Sequence, residues 1–266
     1  MGLKGNRRRK GVLVPALLVV ALLWQTVGGL AVAAAPQDLP PPSIPASGNG
    51  SATASPTPAA TAKPKYDPDH PEIMQNTFLY AETGVLIEQH SGKVFYDMKA
   101  EQRMQPASTT KIMTLLIALE NGNREDVVTV GQEINSIPSD SSIVPLIVGE
   151  KLTLDELLYG LMIRSGNDAA VTIAIHIAGS VEAFVELMTE RAQGLGCTGT
   201  HFANPNGYED NEHYSTALDL ARIAREGMKN EVYRKIVGAP SFTIAANNMR
   251  EKDTTYRSKN QFVAED

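Results

Sequence analysis

Cysteine is almost absent from this sequence: Cys197 is the only one among 266 residues, so no disulfide can form within the chain. We expect it to be a small buried apolar residue rather than a reactive thiol. The five histidines do not show the spacing of metal ligands, and no Cys/His/Asp cluster accompanies them. A Gly-x-Ser-x-Gly elbow is also absent, so an ordinary Ser-His-Asp hydrolase has no nucleophile signature here.

Positive charge is scarce once the first residues are set aside. The formal net charge is −6, and all five charged residues before Pro36 are basic. The rest of the chain therefore carries 19 basic against 30 acidic side chains, a net charge of −11. Nucleic-acid binding requires a basic surface, so the charge balance excludes it. The hydrophobic fraction of 42% is ordinary for a folded globular protein.

The N-terminus is typical of an export signal. Residues 1–10 are basic, and the apolar run Val12–Trp24 has the length of a signal-peptide core. It is short for a membrane span, which needs about 20 residues. Small-x-small cleavage patterns end at Ala33 and Ala35, and we expect residues 1–35 to be removed by a cut after Ala35. An uncleaved N-terminal anchor is the alternative, and both interpretations place the remainder outside the cytoplasmic membrane.

The segment that follows has the composition of a linker. Residues 36–76 are rich in Pro, Ala, Ser and Thr and offer few apolar side chains to bury. Such a stretch cannot offset its conformational entropy, and its proline content favours a semi-extended spacer. From Thr77 the pattern changes to that of a folded domain, which we place at residues 77–266.

Local patterns in this domain predict a hairpin followed by a large helical section. Two β-favouring runs, Gly84–Glu88 and Lys93–Asp97, are separated by a turn-forming segment. Pro106 then introduces a helix from about Ser108 to Glu120. Further predicted elements include a capped helix from Thr153, an apolar helix Asn167–Ala178 ended by Gly179, a helix capped by Ser180, and a strand Ser241–Ala245.

One more helix is predicted near the end of the chain, and two histidines are assigned structural roles. A helix is predicted to open at Ser215 and to reach about Asn230, and the end of the chain is expected to be weakly structured. His176 lies in the apolar helix, which favours a satisfied core histidine over a catalytic one. His213 precedes a helix start and is likewise expected to be structural.

The motif Ser108-Thr109-Thr110-Lys111 carries the first chemical signal. Residues i and i+3 of a helix share a face, so Lys111 can reach the Ser108 hydroxyl. A serine needs such a neighbouring base, and a lysine in an apolar site can have its pKa lowered enough to serve. The helix N-terminus favours a developing oxyanion. Ser-x-x-Lys alone also fits a surface helix start, so the preceding proline, the upstream hairpin and the following apolar helix carry this interpretation.

The triplet Ser165-Gly166-Asn167 carries the second signal. It forms a polar turn between two apolar helices, where side chains can face a cleft. Ser165 is a candidate proton relay and Asn167 a candidate ligand for a substrate amide, while an ordinary turn with Asn167 as a helix cap is the alternative. A second Ser-Gly-Asn at residues 47–49 is rejected, because nothing rigid in the linker could position it.

Together these phrases resemble the low-molecular-weight penicillin-binding proteins, specifically the serine-type D-alanyl-D-alanine carboxypeptidases. The resemblance covers about residues 77–260. It is carried by the segments Pro106–Thr114, Ile163–Ala170, Thr200–Gly207 and His213–Ala217.

The resemblance implies an α+β fold of the β-lactamase/transpeptidase type, with an antiparallel sheet packed with helices and a helical lobe. It also implies acyl transfer, in which Ser108 is the nucleophile, Lys111 the base, and Ser165 and Asn167 the second motif. The Asn204–Gly207 segment matches a loop near the site, to which we assign a structural role.

Substrates and partners follow from the same resemblance. The expected substrate is a peptidoglycan stem peptide ending in D-Ala-D-Ala, whose terminal D-alanine is removed during cell-wall maturation. β-Lactam antibiotics are expected as covalent inhibitors, no metal or organic cofactor is implied, and peripheral association with the membrane or the wall is a further expectation.

One departure from the family pattern is clear: the third motif, Lys-Thr/Ser-Gly, is absent. The chain is therefore expected to be truncated before that motif, to lack C-terminal sheet strands, and to be poorly stable and nearly inactive as given. An inactive wall-associated fragment is one alternative. A serine β-lactamase is another, but its added glutamate has no good candidate, because Glu182, Glu186 and Glu190 have the i+4 spacing of a solvated helix face.

Overall fold

The computed structural model describes residues 81–260 and Val263, together with the backbone of strands at Leu17–Ala21 and Lys65–Tyr66. Four strands form an antiparallel sheet in the order β1-β3-β4-β2: β1 (Leu17–Ala21), β2 (Lys65–Tyr66), β3 (Gly84–Glu88) and β4 (Val94–Met98). The predicted hairpin is β3 and β4. The Glu88 carboxylate accepts from the His90 N–H and the Ser91 hydroxyl across its turn.

Strand β1 falls within the run predicted as a signal-peptide core, and β2 within the predicted linker. The remainder of residues 1–76 lies outside the described residues, including the rejected triplet at 47–49. Signal-peptide cleavage and the linker assignment therefore stay predictions.

Six α-helices build the larger part of the described chain. They are α1 (Lys111–Asn121), α2 (Leu154–Ile163), α3 (Asn167–Ala178), α4 (Val181–Gly194), α5 (Ala217–Gly227) and α6 (Glu231–Val237). One core cluster contains residues of the helices α1, α2, α3, α4 and α6. A smaller cluster packs α5 against β3. Helix α5 thus connects the sheet to the helical part.

The helix signals in the sequence are largely confirmed. Thr153 and Glu156 form a reciprocal capping box, in which each side chain accepts from the other residue's backbone N–H. Helix α3 ends at Gly179, whose φ of +81° is the left-handed conformation that glycine adopts readily. The Ser180 hydroxyl accepts from the Ala183 N–H and caps α4.

The predicted helix from Ser215 to Asn230 was wrong in its bounds. Helix α5 begins at Ala217 with Thr216 as its cap and ends at Gly227. The separate helix α6 then begins after Asn230, whose side-chain oxygen accepts from the backbone N–H groups of Val232 and Tyr233. Asparagine competes for backbone donors in this way, so it starts a new helix more readily than it continues one.

The end of the described chain is also more ordered than we expected. Strand β7 (Ser241–Ile244) confirms the predicted strand, and it pairs antiparallel with β8 (Thr254–Arg257). Phe242 and Tyr256 lie opposite each other with ring centroids 5.1 Å apart, and Phe242 also stacks on Tyr159 of α2. Cross-strand aromatic packing of this kind stabilises a hairpin. The second strand was not predicted, because the loop between the two strands is polar. A second pair, β5 (Val127–Thr129) and β6 (Lys151–Thr153), lies in the helical part.

Cys197 and His176 differ in how far they are buried. Cys197 is buried, and burial raises the pKa of its thiol to about 12, which confirms the inert interpretation. The prediction for His176 was wrong: its ring lies at the surface, 3.2 Å from the Asp126 carboxylate. The last turn of α3 is only partly buried: Ile177 and Ala178 pack against the core while His176 faces solvent, so an apolar helix still carries an exposed histidine.

No single helix among residues 81–260 is long and apolar enough to cross a bilayer; α3 and α4 pass that test only as a pair, with a bend of 86° between them.

Candidate active site

Ser108 lies in a 3₁₀ turn, Ala107–Thr110, that leads directly into α1. The α-helix itself begins at Lys111, three residues later than predicted, because Ala107 has a positive φ of +48° and the chain enters α1 through a tight turn. The Thr109 hydroxyl donates to the Pro106 carbonyl at 2.5 Å and closes this turn. Ser108 is exposed as a result, while Lys111 one turn later points inward.

The Lys111 Nζ atom joins three separate segments of the chain. Its Nζ lies 3.2 Å from Ser108 Oγ, 2.8 Å from Asn167 Oδ1 and 2.7 Å from the Asn206 carbonyl oxygen. A neutral lysine has two N–H donors and one lone pair. With the two donors directed at Asn167 and Asn206, the lone pair is left for the Ser108 hydroxyl proton.

The surroundings of Lys111 favour its neutral form. The residue is only 2% exposed, and burial lowers the pKa of its amine to about 7. The nearby Asp168 charge acts in the opposite direction, and the Lys259 charge lowers the pKa further. Because these effects place the pKa near neutrality, a substantial fraction of Lys111 is available as a general base at neutral pH.

The second predicted motif forms a turn that a neighbouring segment supports. Ser165 has a positive φ of +57°, and Gly166 lies where a Cβ would be 2.5 Å from a Val144 methyl group. The Asn167 backbone N–H donates to the Ser142 carbonyl at 2.8 Å, which leaves the Asn167 side chain free to face Lys111. The side chain therefore binds Lys111 and is not a helix cap.

Ser108, Lys111 and Asn167 are thus brought together by direct contacts. Ser165 stands two residues from Asn167 on the same turn, half-buried. Within residues 81–260 its hydroxyl makes no hydrogen bond to Ser108 or Lys111.

Asp168, which the sequence analysis did not single out, fixes residues 142–146, the segment that supports this turn. Its buried carboxylate accepts from the backbone N–H groups of Val144 and Leu146 at 2.9 to 3.0 Å, and from that of Ala169. This residue therefore contributes both a fixed turn and a negative charge close to Lys111.

The loop at residues 203–207 contributes more than the structural role we predicted. The Asn206 carbonyl is an acceptor for Lys111, and the Pro205 carbonyl accepts from the Thr114 hydroxyl at 2.5 Å. Gly207 touches the turn before Ser108, since a Cβ there would be 1.8 Å from the Ala107 carbonyl oxygen. Backbone carbonyls leave no side-chain signature, and only the resemblance of the Thr200–Gly207 segment indicated this contact.

Other residues weighed in the sequence lie away from the site or behind it. Glu182, Glu186 and Glu190 are exposed on α4, which confirms the solvated face. His213 is buried behind Thr110, and within residues 81–260 its ring is hydrogen-bonded to Thr110 and Ala203 and not to Ser108, in agreement with its structural assignment. In the described part of the chain, no group of three His, Cys, Asp or Glu side chains is placed to hold a metal ion.

An exposed serine followed by a buried lysine, beside a Ser-Gly-Asn turn, defines a serine–lysine nucleophile site. A family model described as D-alanyl-D-alanine carboxypeptidase matches residues 71–266, and the chain belongs to this family. A D-alanyl-D-alanine carboxypeptidase of Bacillus subtilis is 41% identical over 161 residues, which cover 59% of this chain and 41% of that protein. One from Escherichia coli K12 is 37% identical over 154 residues, covering 54% of this chain and 38% of that protein.

Solved structures agree with the fold. A mutant of the Streptomyces K15 DD-transpeptidase superposes with a TM-score of 0.66 at 32% identity, over 70% of this chain and 77% of that one. A Mycobacterium tuberculosis D-alanyl-D-alanine carboxypeptidase gives 0.63 at 29% identity, over 68% and 67%. The fold is therefore the expected α+β transpeptidase type. The chain spans 41% and 38% of the lengths of the first two curated relatives named above.

Proposed function

We propose that this protein is a serine D,D-carboxypeptidase that removes the terminal D-alanine from peptidoglycan stem peptides. One observation carries the proposal: the buried Lys111 Nζ lies 3.2 Å from Ser108 Oγ, and its two other contacts are the acceptor oxygens of Asn167 and Asn206. Family membership supports the choice of substrate.

The reaction proceeds by acyl transfer. Ser108 Oγ attacks the carbonyl carbon of the penultimate D-alanine while its proton passes to Lys111 Nζ. The tetrahedral intermediate collapses, the C–N bond to the terminal D-alanine breaks, and the leaving amine takes up a proton. Water then attacks the acyl-enzyme ester, which releases the shortened peptide and restores the Ser108 hydroxyl.

The second motif positions the reacting groups. The Asn167 amide oxygen fixes one Lys111 hydrogen, and its amide nitrogen is the candidate ligand for a substrate amide. Ser165 is the candidate relay that returns the proton to the leaving amine. Both roles require the turn that Asp168 and Val144 hold.

The nucleophile is tested with a fluorescent penicillin on the purified protein. We expect one label, mapped to Ser108 by mass spectrometry. Ser108→Ala should abolish labelling, whereas Ser91→Ala in the exposed hairpin turn should leave it unchanged. Lys111→Ala should slow acylation on the order of 10³-fold, because nucleophile and base act as a unit. A label on another serine would overturn the assignment.

The substrate is tested by D-alanine release from a peptide ending in D-Ala-D-Ala. Release that depends on Ser108 supports the carboxypeptidase. Rapid, repeated hydrolysis of penicillin would instead indicate a β-lactamase. Labelling without D-alanine release would indicate a penicillin-binding protein that has lost turnover.

We also infer export, with the mature chain at the outer face of the membrane or in the wall. The basic segment, apolar run and Ala-x-Ala sites before Pro36 support it. N-terminal sequencing of secreted material should begin near Pro36, and an intact Met1 in a cytosolic fraction would contradict the inference.

A further inference from the structure

The His213 ring is buried beneath the start of α1 and links two distant segments. It is 2% exposed, and its Nε2 lies 2.7 Å from the Thr110 hydroxyl oxygen. Its Nδ1 lies 2.9 Å from the backbone nitrogen of Ala203, and its ring packs edge-on against Phe202. Thr110 immediately precedes Lys111, and Ala203 begins the loop at residues 203–207.

These contacts specify one tautomer. The Ala203 N–H is a donor, so Nδ1 must carry a lone pair rather than a proton. A neutral ring then holds its proton on Nε2 and donates it to the Thr110 hydroxyl oxygen. A protonated ring would place an N–H against the Ala203 N–H, and this arrangement cannot form a hydrogen bond.

Burial, more than the charges that face the ring, favours its neutral form. Burial lowers the pKa of His213 to about 4, the Asp210 carboxylate raises it, and His201 lowers it. No charged side chain of α1 is hydrogen-bonded to the ring within residues 81–260, because its contact on that side is the Thr110 hydroxyl.

The loop that starts at Ala203 acts directly on the base. The Asn206 carbonyl takes one Lys111 hydrogen at 2.7 Å, and the Pro205 carbonyl takes the Thr114 hydroxyl hydrogen. Gly207 lies against both the Ala107 carbonyl and the Thr110 hydroxyl. One face of the turn and of α1 is therefore docked on this loop, and the His213 ring is the side chain that ties the loop's first residue to that face.

We propose that His213 is a positioning residue for the base: its neutral ring fastens Thr110 to Ala203 and thereby keeps the Asn206 carbonyl against Lys111 Nζ. This inference rests on the proposed function, in which Lys111 activates Ser108. Within residues 81–260 the ring makes no hydrogen bond to Ser108 or Lys111, and it acts through Thr110 and the loop.

Three variants separate this role from a general packing role. His213→Asn keeps an acceptor near the Nδ1 position for Ala203 but loses the donor to Thr110. Thr110→Val keeps the shape of the threonine but removes the hydroxyl that His213 binds. Thr110→Ser is the matched control, because it keeps that hydroxyl.

The first measurement is the rate of Ser108 acylation by fluorescent penicillin, in full-length variants whose thermal melts remain cooperative. His213→Asn and Thr110→Val should each be slower by about 10- to 100-fold, since a small displacement of a reacting group costs this much. The double variant should be no slower than the slower single variant, and Thr110→Ser should match the wild type. The proposal would be overturned if the rate reductions of the two single variants multiplied in the double variant, or if Thr110→Val were acylated at the wild-type rate. Thr110→Val alone decides it if His213→Asn does not fold.

The second measurement does not depend on turnover. The Lys111 amine is titrated by NMR in protein with isotopically labelled lysine, with Lys111→Arg to assign the signal. A loosened loop admits water, so the Lys111 pKa should rise in Thr110→Val and stay at the wild-type value in Thr110→Ser. If the wild-type protein is not acylated at all, the proposed function fails, and this titration still decides the role of His213. An identical Lys111 pKa in all variants would refute the positioning role of His213.

Discussion

Gly207 and Ala107 approach so closely that no side chain fits between them. A Cβ on Gly207 would lie 1.8 Å from the Ala107 carbonyl oxygen, and Gly207 has a φ of +81°, where a larger residue is strained. The 203–207 loop and the turn that carries Ser108 are therefore in backbone contact.

Gly207→Ala should consequently damage both stability and reactivity. Backbone strain alone costs about 1–3 kcal/mol, and the contact with Ala107 must also open. We expect a lower melting temperature and a slower acylation of Ser108. Gly194→Ala is the control, because a Cβ at that position meets nothing within 4 Å. Normal acylation in Gly207→Ala would show that the loop does not hold the turn.

The base should reveal itself in the pH dependence of acylation. Lys111 accepts the serine proton only when neutral, and burial lowers its pKa to about 7. The acylation rate should therefore fall as pH drops through about 7 and reach a plateau above it. Rates measured with fluorescent penicillin from pH 5 to 9 check this. A rate that is flat across this range would exclude Lys111 as the titrating base.

Asp168→Asn should shift the acidic limb of the pH profile, the fall in acylation rate below about pH 7, toward lower pH. The Asp168 charge raises the Lys111 pKa, so its removal lets Lys111 lose its proton more readily. The variant should also lose about 1–3 kcal/mol of stability, because one amide oxygen cannot replace two carboxylate oxygens bound to several backbone N–H groups. Asp155→Asn, at the surface beside Arg124, should leave the limb unchanged. A limb shifted to higher pH in Asp168→Asn would contradict this electrostatic argument.

A pair of substitutions should test the support behind the Ser-Gly-Asn turn. Gly166→Ala places a Cβ 2.5 Å from a Val144 methyl group, which should cost about 1–3 kcal/mol by overpacking. Adding Val144→Ala should recover part of that loss, because it removes the methyl group in question. Chemical denaturation of both single variants and of the double variant gives the coupling energy. Strictly additive effects would mean that the two residues do not share this space.

The buried ion pair between Glu150 and Arg250 should contribute far more to the free energy of unfolding than a surface pair does. Glu150 is fully buried and also accepts from Ile147 and Asn247, so it ties the segment after Val144 to the loop between β7 and β8. Glu150→Leu leaves Arg250 without its main partner and should cost about 3–5 kcal/mol. Glu120→Gln in the exposed pair with Arg191 should cost about 0–1 kcal/mol in the same urea titration. Equal losses would show that burial does not set the value of these pairs.

The sequence identified the parts of the site that carry a local side-chain pattern. Ser108 and Lys111 were predictable because one helical turn separates them, and Asn167 because its triplet follows an apolar helix. The Asn206 carbonyl could not be assigned this way, since any residue type supplies a backbone carbonyl. His176 was misplaced because an apolar pattern shows which face of a helix is buried but not how far the core extends. The β7–β8 hairpin was missed because its pairing depends on Phe242 and Tyr256 meeting across a polar loop.

The three contacts of Lys111 have a consequence for the newly made chain. Its partners come from residues 108, 167 and 206, so they meet only after the helical part has formed. In an unfolded chain this lysine keeps an ordinary pKa, and only about one molecule in a thousand would hold a neutral amine near pH 7.4. Ser108 is then as inert as any other serine hydroxyl. We therefore expect the reactivity of Ser108 toward an acylating probe to report the fraction of molecules that have completed their tertiary fold, so that a labelled gel band would serve as a folding assay for this protein.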